Sequence, residues 1–170
     1  MADKQKALET ARAELEAGKA EYENGLTAYN FSKGGMTAKG YLEKFADQND
    51  LWNPEKACQA YVIALGVNDI YNHKMPIGDA ADITKTEFSE VRPFISYYAE
   101  IVRRYQTISP DAKFFFVTFP NEGSKRDKTI TEGMVQAIYD LAEHFENAYV
   151  IDLYQYGPLF DETFRKKYFL

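Results

Sequence analysis

Several residue types that support particular functions are scarce in this chain, which limits the classes of protein it can represent. Its 170 residues include one cysteine, Cys58, and two histidines, His73 and His144. A single cysteine excludes a framework of intramolecular disulfides, and so few cysteines and histidines give no reason to expect a metal site. Lysine and arginine number 20 against 26 aspartate and glutamate, for a net charge of −6. Because nucleic-acid binding relies on clustered basic residues, we expect no nucleic-acid partner.

Long apolar runs are also missing from the sequence. The longest are Tyr61 to Leu65 and Phe114 to Val117, far below the ~20 residues that a membrane-spanning helix needs. The first 25 residues are charged throughout, unlike an apolar secretion signal. These absences predict a soluble chain with no membrane span and no export signal, cytoplasmic by default.

The first part of the chain, residues 1–24, has the pattern of a separate amphipathic helix. Leu8, Leu15 and Tyr22 recur seven residues apart among strong helix formers, which gives a thin apolar stripe. Such a stripe lies on a domain surface or pairs with another helix. We therefore expect an N-terminal helix that is a candidate for self-association, followed by one domain over residues 25–170.

That second region alternates apolar strands with amphipathic helices. The strands are continuous apolar runs, typical of strands buried on both faces, and this alternation predicts a three-layer α/β/α sandwich with a parallel sheet. A long helix is expected over Lys85 to Thr107, kinked at Pro93 unless it begins near Arg92. The predicted strands are Leu26 to Asn30, Ala60 to Leu65, Lys113 to Thr118 and Ala148 to Leu153, and the other helices are Ala38 to Asp47, one ending at Phe145, and Pro158 to Leu170.

Two loops that follow predicted strands are candidate binding sites, because ligands of parallel sheets bind outside the carboxyl ends of the strands. The first loop contains Gly34 and Gly35, whose missing side chains let backbone N–H groups approach a ligand oxygen. The second contains Asn68 and Asp69, an amide that can donate to a developing negative charge and a carboxylate that can brace the turn. Taken singly, each loop is also explained as an ordinary turn at the start of a helix.

Taken together, the two loops resemble a known pair of motifs. Asn30-x-x-x-x-Gly35 and Gly66-Val67-Asn68-Asp69 resemble the second and third blocks of the SGNH hydrolases, also called GDSL esterases and lipases, over about residues 26–153. The resemblance implies a flavodoxin-like sandwich that hydrolyses small acyl esters or acetylated carbohydrates by acyl transfer to serine, without a cofactor. It assigns the oxyanion hole to the N–H of Gly35 and the side chain of Asn68. Gly34, Asp69 and His73 are further candidates for substrate contact.

The chain departs from the family pattern at both ends. No serine precedes Ser32, so the first block, Gly-Asp-Ser, is absent, and neither histidine has an aspartate three residues before it, so Asp-x-x-His is absent too. A serine hydroxyl is a weak nucleophile without a nearby base, so we expect this chain to be inactive or nearly so and to be a fragment or altered version of a longer enzyme. Pairing of Ser32 with His73 is the alternative source of a nucleophile.

Two other functions are compatible with the predicted fold. The first is a non-catalytic binding or self-association module that keeps the pocket at the sheet end. The second, a nucleotide-binding domain, is disfavoured because the glycine loop lacks both the Lys-Ser/Thr ending and the Gly-x-Gly-x-x-Gly spacing. Blocks resembling Gly-Asp-Ser upstream and Asp-x-x-His downstream of this segment would favour the enzyme over the module.

Overall fold

The structure is a computed structural model, which describes residues 27–121 and 126–157 together with 163, 166 and 167. The chain divides into two units, Met1–Lys33 and Gly34–Leu170. The predicted N-terminal helix lies outside the described residues. The predicted C-terminal helix also lies outside them, except for residues 163, 166 and 167, which are helical.

The second unit is built on a parallel sheet of three strands, β1 (Ala60–Ile63), β2 (Lys113–Val117) and β3 (Ala148–Ile151), which lie in that order. Tyr61 of β1 pairs with Phe114 of β2, and Phe114 pairs in turn with Ala148 of β3. The prediction of an α/β fold with a parallel sheet is therefore confirmed.

The helices alternate with these strands as the sequence predicted. Helix α1 comprises Ala38–Gly40, a π-helical stretch Tyr41–Phe45 and a last turn Ala46–Gln48; α2 is Phe94–Ile108, α3 is Lys128–His144 and α4 is Leu153–Tyr156. Short turns of 3-10 helix at Pro54–Lys56 and Ala80–Ile83 and of π-helix at Asn68–Asn72 connect them. In the part of the chain covered by the structure, no helix has both the length and the apolar character that a bilayer crossing requires.

The prediction of a first strand over Leu26 to Asn30 is wrong for the residues that the structure describes. Residues 27–30 pair with no strand and are exposed. Tyr29 is 66% exposed and stacks on Phe31 with ring centroids 6.4 Å apart. A strand is stabilised by pairing with neighbouring strands in a sheet. The local sequence alone does not reveal that these residues have no strand to pair with.

Both long helices pack on one face of the sheet. Each connects a strand to its next parallel neighbour in the same direction, and right-handed crossovers of this kind place their helices on the same side. On that side Phe114 and Phe116 are fully buried. Tyr98 of α2 meets the ring of Phe116 edge-on at 5.3 Å, and its hydroxyl donates to the carbonyl oxygen of Ile63 at 2.9 Å.

The opposite face of the sheet is more exposed than the apolar strands suggested. Val62 is 67% exposed and Tyr149 is 47% exposed, with the half-buried ring of Phe115 stacked on Tyr149 at 5.4 Å. The expectation that the strands are buried on both faces therefore does not hold at these positions. Their apolar character reflects the β-propensity of branched and aromatic side chains as well as burial.

Helix α2 begins later than the sequence pattern indicated. Its N-cap is Pro93, in an extended conformation with φ −77° and ψ 161°. Residues 85–92 are not helical, because proline has no N–H for a helical hydrogen bond and its ring disfavours helix in the residue before it. The alternative of a start near Arg92 is thus the one that the structure adopts.

An aromatic cluster packs at the end of the sheet where its strands begin, the amino edge. The ring of Tyr105, in the last turns of α2, lies 4.1 Å from that of Tyr61 in β1 and 4.9 Å from that of Trp52. Tyr41 of α1 shares a hydrogen bond with the hydroxyl of Tyr105 and contacts Trp52 edge-on at 6.2 Å. The cluster therefore ties α1 and α2 to the beginning of β1.

Candidate functional site

A glycine turn after β1 positions the candidate Asn68. Gly66 has φ +120°, and a Cβ at this position would lie 2.8 Å from Cζ of Phe94, which is fully buried. Only glycine combines this backbone conformation with so close an approach of a ring. The turn leads directly into the π-helical turn at Asn68–Asn72.

The side chain of Asn68 connects the two candidate loops. Its Nδ2 donates to the carbonyl oxygen of Met36 at 3.0 Å, and its Oδ1 accepts from Nδ2 of Asn72 at 2.8 Å. A carboxamide has two N–H bonds, and no hydrogen bond among the described residues uses the second one. The structure thus places Asn68 beside the loop of Gly34 and Gly35, with a donor still available.

The glycine loop is open at its tip. Gly34 and Gly35 are exposed, and Gly35 has φ +76°, a conformation that favours glycine. No described atom lies within 4 Å of the position that a Cβ would take at either residue. A ligand can therefore reach this backbone, and the convergence of the Gly35 N–H and the Asn68 amide on one oxyanion stays a prediction.

Asp69 braces the loops from inside. Its side chain is fully buried, and the N–H of Ala38 donates to both carboxylate oxygens, at 2.9 and 3.0 Å. Burial raises the pKa of this carboxyl above its usual range, although the backbone N–H donors of Ala38 and Lys39 oppose the shift. The sequence left two roles open for Asp69, bracing the turn and contacting the substrate. These hydrogen bonds correspond to the first.

The remaining candidates lie on exposed positions. His73 ends the π-helical turn, where its backbone N–H donates to the carbonyl of Asn68 at 3.0 Å. Ser32 belongs to the first unit, and its N–H donates to Oδ1 of Asn30 at 2.9 Å. Pairing of Ser32 with His73 stays a prediction. No group of three or more His, Cys, Asp or Glu residues suited to a metal ion occurs in the described ranges.

A second polar pair at the carboxyl edge was not singled out from the sequence. Thr118 directly follows β2 and Asp152 directly follows β3; the Thr118 hydroxyl donates to Oδ1 of Asp152 at 2.9 Å and accepts from the N–H of Tyr154 at 3.0 Å. The hydroxyl of Tyr139 donates to Oδ2 of Asp152 at 2.7 Å. The signal that could have found the pair is a polar residue immediately after each of two neighbouring apolar strands.

The electrostatics of Asp152 follow from these donors. Partial burial opposes ionisation of its carboxyl, but hydrogen bonds from the Gln155 N–H, the Tyr139 hydroxyl and the Thr118 hydroxyl outweigh that effect and lower its pKa. Asp152 is therefore an ionised anchor that joins the ends of β2 and β3 to the start of α4.

Replacing Thr118 with valine tests this anchor. Valine keeps the shape but leaves the part-buried N–H of Tyr154 without its acceptor, so we expect the free energy of unfolding to fall by about 0.5–1.5 kcal/mol. The pKa of Asp152, followed by NMR titration, should rise because one donor is lost. Thr107→Val is the control, since the Thr107 hydroxyl is exposed and bonds only within α2. If the two variants were equally stable in urea denaturation, the stabilising role of the hydrogen bonds between Thr118, Asp152 and Tyr154 would be contradicted.

An apolar cleft lies beside the same edge. It has a volume of about 200 Å³ and is lined by residues that include Val67, the residue before Asn68, and Met134 and Ile138 of α3. Thr118 contributes the polar part of the lining, and its hydroxyl is already bonded to Asp152. The cleft is therefore suited to an aliphatic group rather than a charged one.

Comparisons with known proteins agree with this arrangement. The model of the GDSL-like lipase/acylhydrolase family matches residues 9–170, a longer stretch than the resemblance seen in the motifs. The crystal structure of a possible lipase from Chitinophaga pinensis DSM 2588 is similar in fold, with a TM-score of 0.61 and 20% sequence identity. The alignment covers 82% of this chain and 57% of that one, so the chain spans little more than half the length of this structure.

A second solved structure aligns less well, with a TM-score of 0.46 at 20% identity over 73% of this chain and 55% of its own length. No curated protein matches the sequence significantly.

Proposed function

Because the chain belongs to the GDSL-like lipase/acylhydrolase family, we propose that its site serves ester hydrolysis by acyl transfer, with the Gly35 N–H and the Asn68 amide as oxyanion donors. The observation that supports this most directly is the hydrogen bond from Asn68 to the carbonyl of Met36, 3.0 Å long. It ties the Asn68 turn to the backbone of the residue that follows Gly35. The substrates that suit the family are small acyl esters or acetylated carbohydrates.

The oxyanion donors act by matching charge that forms only in the transition state. A donor about 3 Å from the developing oxyanion stabilises it, and removing one such donor typically costs about 2.7–4 kcal/mol. The hydrogen bond from Ala38 to Asp69 and the close packing of Gly66 on Phe94 support the backbone on either side of these donors.

The sequence contains the proposed oxyanion donors but not the motifs for the other catalytic groups. It contains neither Gly-Asp-Ser nor Asp-x-x-His, the motifs that would supply a nucleophile and its base. Without an acyl-enzyme the oxyanion donors have little to assist. We therefore propose that the 170-residue chain by itself binds the substrate but turns it over at the background rate.

The activity of the chain on 4-nitrophenyl acetate tests this proposal. We expect the wild-type chain and Asn68→Ala to hydrolyse the ester at the same rate, because no step forms a tetrahedral oxyanion in the site. A burst of nitrophenol that disappears in Ser32→Ala or His73→Ala would contradict the proposal, and its loss in both variants would identify Ser32 as the nucleophile and His73 as its base.

A chimera tests the oxyanion assignment in the opposite direction. Addition of a Gly-Asp-Ser strand and an Asp-x-x-His loop from a catalytically active family member should create esterase activity. Asn68→Ala in that chimera should then lower kcat by roughly 100- to 1000-fold. An active chimera that is indifferent to Asn68→Ala would overturn the role of Asn68.

The second candidate function is a non-catalytic binding module, which the missing nucleophile and base favour. It uses the same loops and cleft, and self-association through residues 1–24 is part of the same proposal. A gene that lacks both motifs beyond this segment would favour the module over the enzyme.

A further inference from the structure

The cleft at the carboxyl edge is lined by apolar side chains and is partly open to solvent. Met134 and Ile138 of α3 form an inner wall and are only 3% and 4% exposed, and the fully buried Phe94 of α2 lines it as well. Ala64, the residue after β1, lies exposed at the mouth. A ligand can therefore enter past Ala64 and reach side chains that are otherwise shielded from water.

The lining determines the chemistry of the occupant. The Thr118 hydroxyl makes two hydrogen bonds within the protein, to Asp152 and from Tyr154, and the other side chains named here are apolar. A charged or strongly polar group would lose its hydration in the cleft without gaining partners. An alkyl chain loses no hydrogen bonds and gains contact area.

The volume limits the length of that chain. An apolar cavity of 150 Å³ is known to hold benzene, and this cleft has about 200 Å³. It therefore has room for roughly six to eight carbon atoms. A long fatty acyl chain would extend beyond it into solvent.

The position of the cleft relates it to the oxyanion donors. Val67 forms part of its wall and directly precedes Asn68 in the chain. We propose that this cleft binds the acyl chain of the substrate and selects unbranched aliphatic acyl groups of about six to eight carbons. This inference rests on the proposed function, because the acyl carbonyl would lie at Asn68 while its chain enters the cleft.

Binding can be measured on the chain as it is, without turnover. The probes are N-methyl amides of acetic, butyric, hexanoic, octanoic and dodecanoic acid, which esterases do not readily cleave. The readout is the 13C-labelled methyl signal of Met134, with Met75, which does not line the cleft, as the internal reference. We expect the Met134 signal to shift and saturate while the Met75 signal stays in place.

The series should show a characteristic dependence on chain length. Each methylene that enters the cleft should tighten binding about fourfold, which corresponds to ~0.8 kcal/mol. The gain should stop at the hexanoyl or octanoyl compound. An unmoved Met134 signal, or affinity that continues to rise through the dodecanoyl compound, would overturn the proposal.

A matched pair of variants locates the binding site. Ala64→Phe places a ring at the mouth and should weaken hexanoyl amide binding at least tenfold. Ala60→Phe adds the same ring at the other end of β1, away from the cleft, and should change binding by less than twofold. Equal weakening by both variants would contradict the assignment. Because these experiments report binding and the Asn68→Ala rates report chemistry, failure of one proposal is distinguishable from failure of the other.

Discussion

Replacing Phe116 with alanine should lower the free energy of unfolding by about 3–5 kcal/mol. The Phe116 ring of β2 is fully buried and meets the ring of Tyr98 edge-on. Its removal forfeits the transfer free energy of the ring and leaves a cavity between sheet and α2 that the rigid surroundings fill only in part. Urea denaturation followed by far-UV circular dichroism measures the loss.

The neighbouring Phe115→Ala is the control for this prediction. Phe115 points to the other face of the sheet, where it is half-buried against Tyr149. The same change in composition should therefore cost only roughly 1–2 kcal/mol. Equal losses in the two variants would show that the faces of the sheet are equally well packed, contrary to the observed exposure.

Gly66→Ala should destabilise the chain to a similar extent, by roughly 2–6 kcal/mol. A non-glycine residue at φ +120° costs on the order of 1–3 kcal/mol in backbone strain. The added methyl would lie 2.8 Å from Cζ of Phe94, and crowding in a packed core costs about another 1–3 kcal/mol. Because Phe94 is fully buried, its ring has little freedom to move away.

Gly34→Ala provides the same substitution without either cost. Gly34 is exposed, and no described atom lies within 4 Å of its hypothetical Cβ. Its unfolding free energy should change by less than about 1 kcal/mol. A Gly66→Ala variant as stable as Gly34→Ala in urea would contradict the close packing described for the turn.

The sequence predicted the parts of the fold that local patterns specify. The runs beginning at Ala60, Lys113 and Ala148 form strands, because each is apolar, short and bounded by polar turns. The run beginning at Leu26 has a similar composition, but residues 27–30 lack a pairing partner, and pairing is a property of the whole sheet. Pro93 correctly indicated where α2 begins, because its ring keeps the preceding residues out of the helix.

The sequence predicted which loops form the candidate site but not the hydrogen bonds that connect them. The motif around Asn68 located one loop, and the hydrogen bond to Met36 shows that it meets the other. The contacts of Asp69 with Ala38 and of Thr118 with Asp152 join residues 31 and 34 positions apart. Hydrogen bonds over such distances depend on strand order and register, which no local pattern contains.

The aromatic cluster at the amino edge gives the protein a built-in optical probe. Trp52 is its only tryptophan, and it packs against Tyr105 with the Arg104 guanidinium 5.4 Å from its ring. Its fluorescence therefore reports on the packing of α2 against β1 at the end of the sheet remote from the cleft. Global unfolding releases the indole into water and shifts its emission to the red, whereas an alkyl ligand at the carboxyl edge leaves it unchanged. Stability and ligand occupancy can thus be followed in one sample through two signals that originate at opposite ends of the same strands.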